Sequence, residues 1–381
     1  MSVIPYIKKK IGLSYLVWFQ NSNLYLQLKE PAWFVFSKTI KRYKSSTIAK
    51  LFTVRYNISL EDSLLFVNDI QSEIDKMNKP NHSPTNIDQF STVLNKHHFT
   101  PFSIHHYKLG NQVITFSYES AHFESYIHPL ISHFETSIPQ SDMPLFELFL
   151  YQERIAFRYN GEVKGLWAKD ETQYVKGLIF MFLVNAMHDK TDDHWLMTVH
   201  ASAITNGKKT ILFSAEPGKG KTTFAALLQA KGFQLISDDF VPIDRHTFKA
   251  YPFPISVSVK PGSMDLLKPL FPVLEEKPLT FLSAEKSVRY IPPSNHTAVI
   301  HSVFPVKELI FIEYNSSVDF KLEKLDPVVA LKSLLDQVWV TPIDGNATIL
   351  LDRIMEISFF KLTYSNNQKA LAAISNLFEH D

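Results

Sequence analysis

The chain is 381 residues long, 45% hydrophobic and 13% aromatic, with a formal net charge of +1. That is material for two or three compact cores, without an overall field to recruit nucleic acid or an anionic membrane. Cysteine is absent, which excludes disulfides, thiolate metal sites and cysteine nucleophiles and agrees with a cytoplasmic protein.

The first segments are LSYLVWFQNSNLYLQL, residues 13–28, where Asn21-Ser22-Asn23 separates two apolar runs and predicts a hairpin. EPAWFVFSKTIKRY carries Pro31 near a helix start, and STIAKLFTVRY reads as a second short helix. Ser59 with Asp62 makes a capping-box-like start to a third helix, whose buried face is expected to hold Leu60, Leu64, Leu65, Val67 and Ile70. Basic residues cluster only in 38–50, too locally for a DNA-reading helix. Strands followed by three helices resemble the PqqD-like domain of ribosomal peptide pathways. That resemblance implies a small winged-helix-like α+β domain over 1–78, binding a precursor peptide as an added strand along 12–76. A plain adaptor module without a peptide ligand is the other reading of the pattern.

Residues 79–100 are polar, carry prolines and break periodicity, as a linker does. His97-His98 and His105-His106 are two histidine pairs there and just beyond. Adjacent residues on a strand diverge and no carboxylate sits at ligand spacing, so both pairs are expected to be solvated rather than metal-bound. From 101 to 190 the chain alternates apolar and polar residues, with a second hairpin signal at Asn160-Gly161. It closes on GLIFMFLVNAM, an apolar run too short to span a bilayer that reads as a buried helix. This predicts a β-rich layer.

The chemistry concentrates in 195–243. WLMTVHASAIT and KKTILF flank Asn206-Gly207, a two-residue hairpin signal whose register sets Thr205 opposite Lys208 and His200 opposite Phe213. A histidine so placed reaches either a bound phosphate or a carboxylate working on it; the plain alternative is a core histidine. SAEPGKGKTT then fits the phosphate-loop pattern G-x-x-x-x-G-K-[ST], with Ala215 at the first glycine position. Gly218 and Gly220 permit turns that point successive N–H groups inward, and Thr222 and Thr223 open a helix whose positive end faces the same space. Lys221 is placed to reach the outer phosphates of a triphosphate, Lys219 adds charge at the tip, and the Thr222 hydroxyl is a Mg2+ ligand. FQLISDD ends in Asp238 and Asp239, a pair suited to holding Mg2+ and accepting a hydroxyl proton. A turn or helix-cap pair is the alternative. Lys260 in SVKPGS and Arg289 in VRYIPP are candidate cations for charge on a transferred group.

Together VHASA, SAEPGKGKTT, LISDD and PFPISVSVKPGS resemble the catalytic domain of HPr kinase/phosphorylase. They are more closely similar to HPr-kinase-like proteins that include the lasso-peptide precursor kinases. The resemblance covers about 100–381 and implies an α/β fold with a P-loop nucleotide core like that of phosphoenolpyruvate carboxykinase, over 191–381. It also implies ATP and Mg2+, Asp238 as the base toward a serine hydroxyl, Asp239 near the metal, His200 as the active-site histidine, and a homo-oligomer. The chain departs from the family at Ala215 and lacks the glycine-rich signature that serves phosphorolysis. The reading is a kinase of a Ser/Thr hydroxyl on a captured precursor peptide. A small-metabolite kinase and a nucleotide-gated scaffold without catalysis stay open.

Overall fold

The computed structural model describes residues 4–79, 87–138, 142–283, 286–294 and 300–379. They form a mixed α/β structure with several sheets, divided into two compact units: 1–83 with 326–355, and 84–325 with 356–381. Among the described residues no helix is long and apolar enough to cross a membrane.

In the first unit β1 (Tyr6–Ile11), β2 (Ser14–Phe19) and β3 (Leu24–Lys29) make an antiparallel sheet, with Asn23 in the left-handed region at the expected hairpin. Helices α1 (Glu30–Ile40), α2 (Ser45–Tyr56) and α3 (Leu60–Met77) follow. Pro31 falls in the first turn of α1, where its missing N–H costs nothing. The Ser59 Oγ accepts from the Asp62 N–H at 3.0 Å and caps α3.

The face α3 buries matches the expected one at Val67, with Leu64 and Ile70 packed half-buried on the core, and departs from it at two leucines. Leu60 and Leu65 are exposed, while Ser63, Val67, Gln71 and Ile74 are buried. Gln71 is satisfied there by Ser45 and Thr39 hydroxyls, at 2.8 and 3.1 Å. A buried polar side chain is tolerated in that stripe because its hydrogen bonds are made. Residues 326–355, expected inside a continuous 191–381 core, belong to this unit instead. The Lys9 Nζ donates to the Leu351 carbonyl at 2.8 Å and the Asn23 Nδ2 to that of Val340 at 2.7 Å.

The second unit opens within the expected linker, of which 80–86 lie outside the described residues. The rest is not plain coil: it contains helix α4 (Asp88–Asn95). A five-stranded sheet follows, in the order β4 (Ser103–Leu109), β5 (Gln112–Tyr118), β6 (Leu145–Tyr151), β7 (Arg154–Tyr159), β8 (Glu162–Ala168). Helix α5 (Ala121–Ile131) makes the crossover between the parallel pair β5–β6. Asn160 and Gly161 both take positive φ in the two-residue turn between β7 and β8, as a type I′ hairpin requires. Helix α6 (Thr172–His188) buries Ile179, Leu183 and Val184 in a core shared with Tyr107, Phe116 and Phe146.

The larger sheet takes β9 (Trp195–Val199), β10 (Ser202–Thr205) and β11 (Thr210–Ser214), then helix α7 (Lys221–Ala230), β12 (Gln234–Ser237), β13 (Val241–Asp244) and β14 (Lys249–Ala250). Strands β15 (Val257–Val259), β16 (Thr280–Ser283) and β17 (Lys286–Ile291) form a small separate sheet, and β18 (Phe304–Tyr314) returns to the large one. Its order runs β12-β10-β11-β18-β14-β13-β9, with Ser358–Tyr364 parallel to β18 on a branch. Strands β11, β18 and Ser358–Tyr364 are parallel, so their carboxyl ends open on one edge. That edge is where open α/β sheets place ligands.

Candidate functional site

The loop 215–220 leaves the carboxyl end of β11 between two glycines held at positive φ, Gly218 at 85° and Gly220 at 95°. Ala215 is buried and is not among the left-handed residues, so the first turn is one an alanine can make. Tyr314 and Tyr364, which end the two neighbouring parallel strands, close on Gly220. A Cβ there would stand 3.4 Å from the Tyr314 Cβ and 3.7 Å from the Tyr364 hydroxyl. The Tyr314 N–H donates to the Lys219 carbonyl at 3.0 Å and fixes the loop tip. Helix α7 starts at Lys221, one residue before the expected opening, and packs Phe224 against Phe213 and Tyr364.

The strand expected over 195–205 is two strands. It breaks at His200-Ala201, after which β9 pairs with β13 and β10 pairs with β11 and β12. The β10–β11 register sets Thr205 opposite Thr210 and Ser202 opposite Phe213. The expected register of His200 opposite Phe213 is therefore corrected by two residues. Thr205 Oγ1 and Asn206 Oδ1 satisfy backbone groups of 207–209, and that side-chain wiring holds a longer loop than the dipeptide alone predicts.

His200 still reaches the site, by standing at the break instead of in a strand. Its Nδ1 lies 3.2 Å from the Asp239 carbonyl and its Nε2 3.8 Å from the Asp239 Oδ1. Partial burial, then the Lys221 charge, outweigh Asp239 and hold this imidazole below its ordinary value. It is neutral at pH 7.

The bend after β12 separates the two acids. Asp239 takes φ 64°, a left-handed conformation an aspartate tolerates at modest cost, so the carboxylates part. Asp238 is 2% exposed, with one oxygen accepting from the Ser202 hydroxyl and the other from the Thr222 hydroxyl at 3.2 Å. Burial, and then the charge of Asp239, push its carboxyl above the usual range against Lys221, Ser202 and Thr222. Asp239 is 43% exposed on its side chain and is ion-paired with the buried Lys221 ammonium. Burial raises its carboxyl, but Lys221, with His200 and Lys260, overrides this and holds it below the usual range.

The structure thus brings His200, Lys221, Thr222, Asp238 and Asp239 together, with Lys260 in electrostatic reach. Other candidates stand elsewhere or otherwise engaged. The Arg289 guanidinium donates to the carbonyls of Leu274, Glu275 and Lys277 and ties a loop down. Its strand neighbour Tyr290 is the residue that senses Asp239: burial, then that charge, push its phenol up to about 12. Lys219 pairs with Glu313 at 3.7 Å, and the Thr223 hydroxyl meets that of Ser263 at 2.7 Å. Thr222 faces Asp238, not Asp239, so the expected metal pair of Thr222 and Asp239 is not the pair in contact. Ser202, Ser263 and Tyr290 escaped sequence reading. The corrected hairpin register is the signal that finds Ser202.

The donor set fits a hard divalent cation. Thr222 Oγ1 and the Asp238 carboxylate are oxygen donors already in contact, and a cation beside them would offset the burial that disfavours the Asp238 anion.

Comparison with solved structures matches the chain to the Hpr(Ser) kinase/phosphatase of Coxiella burnetii at 10% identity and a TM-score of 0.22, covering 47% of this chain and 88% of that one. No family model matches the chain, and no curated protein matches it. A TM-score of this size leaves the functional reading on the site's own geometry.

Proposed function

We propose that the chain is an ATP- and Mg2+-dependent kinase that phosphorylates a Ser or Thr hydroxyl of a ribosomally made precursor peptide. The supporting observation is the convergence of the 215–222 loop with the 238–239 bend: Lys221 on Asp239, and Thr222 Oγ1 3.2 Å from Asp238. A buried lysine needs an anionic partner. In the absence of nucleotide Asp239 supplies it, and the outer phosphates of ATP are the partner that would release Asp239 for the acceptor.

Exposure then divides the two acids. An acceptor hydroxyl must come within hydrogen-bond reach of its base. Asp238, enclosed with both oxygens engaged, does not offer that approach; Asp239, half-exposed beside His200, does. In this reading Asp239 accepts the acceptor proton as the hydroxyl oxygen bonds to the γ-phosphorus and the bond to the β–γ bridging oxygen breaks. ADP leaves. Lys221 and Lys260 hold the charge on the transferred group, and Asp238 with Thr222 would hold the metal that neutralises the phosphates.

The peptide acceptor is supported by the first unit, whose three-stranded antiparallel sheet ends in the outer strands β1 and β3, an outer strand being where an extended peptide adds to a sheet. Carrying recognition and transfer in one chain raises the acceptor's effective concentration to about millimolar for a short tether.

The test is transfer of label from γ-labelled ATP to serine- and threonine-bearing peptides, against small hydroxyl metabolites as competitors. Asp239→Asn should cut kcat by roughly 10²- to 10⁴-fold with ATP binding retained. Asp238→Asn should instead weaken the Mg2+ dependence. No label on any acceptor, or near-normal turnover in Asp239→Asn, would sink the reading.

A further inference from the structure

Away from the nucleotide loop, the second unit gathers two histidines and two carboxylates on one side of its five-stranded sheet. His105 projects from β4, Glu124 and His128 stand four residues apart on one face of α5, and Glu135 follows the short helical turn Ser132–Phe134. The rings of His105 and His128 lie 4.3 Å apart between centroids. The ligand atoms of His105, His128 and Glu135 all lie within 4.8 Å of one another.

What distinguishes the cluster is how each ring is held. The His105 Nε2 is 2.7 Å from the Glu124 carboxylate, while its Nδ1 faces Glu135 at 2.6 Å. The His128 Nδ1 is 2.8 Å from the Tyr107 hydroxyl, which leaves Nε2 as the nitrogen outside that bond. Both His105 nitrogens are engaged, so a metal would take the place of the proton shared between its Nδ1 and Glu135, while Glu124 on His105 Nε2 and Tyr107 on His128 Nδ1 hold the two rings. A histidine ligand in a metal site is held in the same way, its second nitrogen bonded to a carboxylate or another oxygen that fixes ring and tautomer.

The backbone carrying these groups is fixed before any ion arrives. Glu135 is bridged to Tyr107 of β4, the Thr136 N–H donates to the His106 carbonyl at 2.9 Å, and the Glu135 N–H to that of Ser132 at 3.1 Å. In a tetrahedral zinc site neighbouring ligand atoms stand about 3.4 Å apart, given metal–ligand bonds of about 2.1 Å. The His105 Nδ1 and the Glu135 carboxylate stand closer than this, at 2.6 Å, and Glu135 is the exposed member of the three.

We propose that His105, His128 and Glu135 form a zinc-class metal site, with Glu124 and Tyr107 as positioning residues and an open fourth position for water. Two imidazoles and one carboxylate select a borderline transition metal over the Mg2+ that an oxygen-only set takes. Its place between β4 and α5 makes it a clip on the sheet. It is independent of the kinase reading.

The experiment uses the untagged full-length chain, without nucleotide. Zn2+ uptake is followed by competition with a chromophoric chelator, and Co2+ uptake by its visible absorption. One site per chain is expected, lost in His105→Ala, His128→Ala and Glu135→Gln. It should be kept in His106→Ala, whose ring bonds Thr115 at 2.9 Å instead. Glu124→Gln should keep the stoichiometry and the Co2+ spectrum but bind about 10- to 100-fold more weakly. If His105→Ala does not fold, Glu135→Gln at its exposed position decides. A wild-type chain that takes up no zinc, or equal uptake in wild type and Glu135→Gln, overturns the proposal.

Discussion

A single buried imidazole sets a pH limit on the second unit. His188 ends α6 and lies 2.7 Å, through Nε2, from the Pro252 carbonyl. Burial lowers its pKa to about 4, with His194, His301 and Lys190 acting in the same direction and the Pro252 bond against it. The unfolded chain binds that proton near 6.5, so between 6.5 and 4 the unfolded state holds more protons than the folded one. The stability His188 contributes as a neutral ring is complete above pH 6.5 and is lost as pH falls to 4, by about 3 kcal/mol. Urea unfolding at stepped pH should show that loss, and His188→Gln should flatten it. An unchanged slope in the variant would assign the acid sensitivity elsewhere. Gly220 is the second residue on which much turns. With φ at 95° and the Tyr314 Cβ 3.4 Å from where a methyl would go, Gly220→Ala should cost roughly 1–2 kcal/mol and lower ATP affinity. Calorimetric titration with ATP checks it; unaltered affinity would mean the loop amides do not meet the phosphates.

At the scale of elements, the five-stranded sheet is tied to α4 by one side chain that no motif announced. Arg158 on β7 forks onto both Glu147 oxygens of β6 at 2.6 Å, and its remaining nitrogen donates to the carbonyls of Leu94 at 2.9 Å and His97 at 2.8 Å. Both side chains are 10% exposed or less. Removing one partner strands the other charge, so Arg158→Ala should cost about 3–5 kcal/mol in urea unfolding. A loss below about 1 kcal/mol would mean water reaches the pair. Element existence was legible from the chain, and pairing less so. Asn160-Gly161 gave its two-residue turn, whereas Asn206-Gly207 did not, because Thr205 and Asn206 bond to the backbone of 207–209 and hold a wider loop. The two-residue correction moves His200 out of the ladder and puts Ser202 beside Asp238.

At the scale of the whole chain, residues 326–355 belong with 1–83, so the first unit is discontinuous in sequence. A chain shortened to 84–381 should expose that stretch, which loses its bonds to Lys9 and Asn23. Limited proteolysis read by mass spectrometry should find new cuts within 326–355; resistance equal to wild type would show that it folds without the N-terminal residues. Local chemistry decided much by itself. The glycine-lysine loop, the acidic pair after β12, the hairpin at 21–23 and the cap at Ser59 are set by spacing over a few residues, where backbone geometry leaves few choices. Facing and exposure were decided only on folding. Leu60 and Leu65 look like core by period yet lie outside, and the sequence reading of Asp238 as base and Asp239 as metal neighbour carried no sign that a left-handed turn buries the first acid and exposes the second. His105 looks solvated in the sequence because its carboxylates come from 19 and 30 residues away. Such contacts form across the three-dimensional packing of elements, and a one-dimensional pattern carries no record of which distant side chain will fill the space opposite.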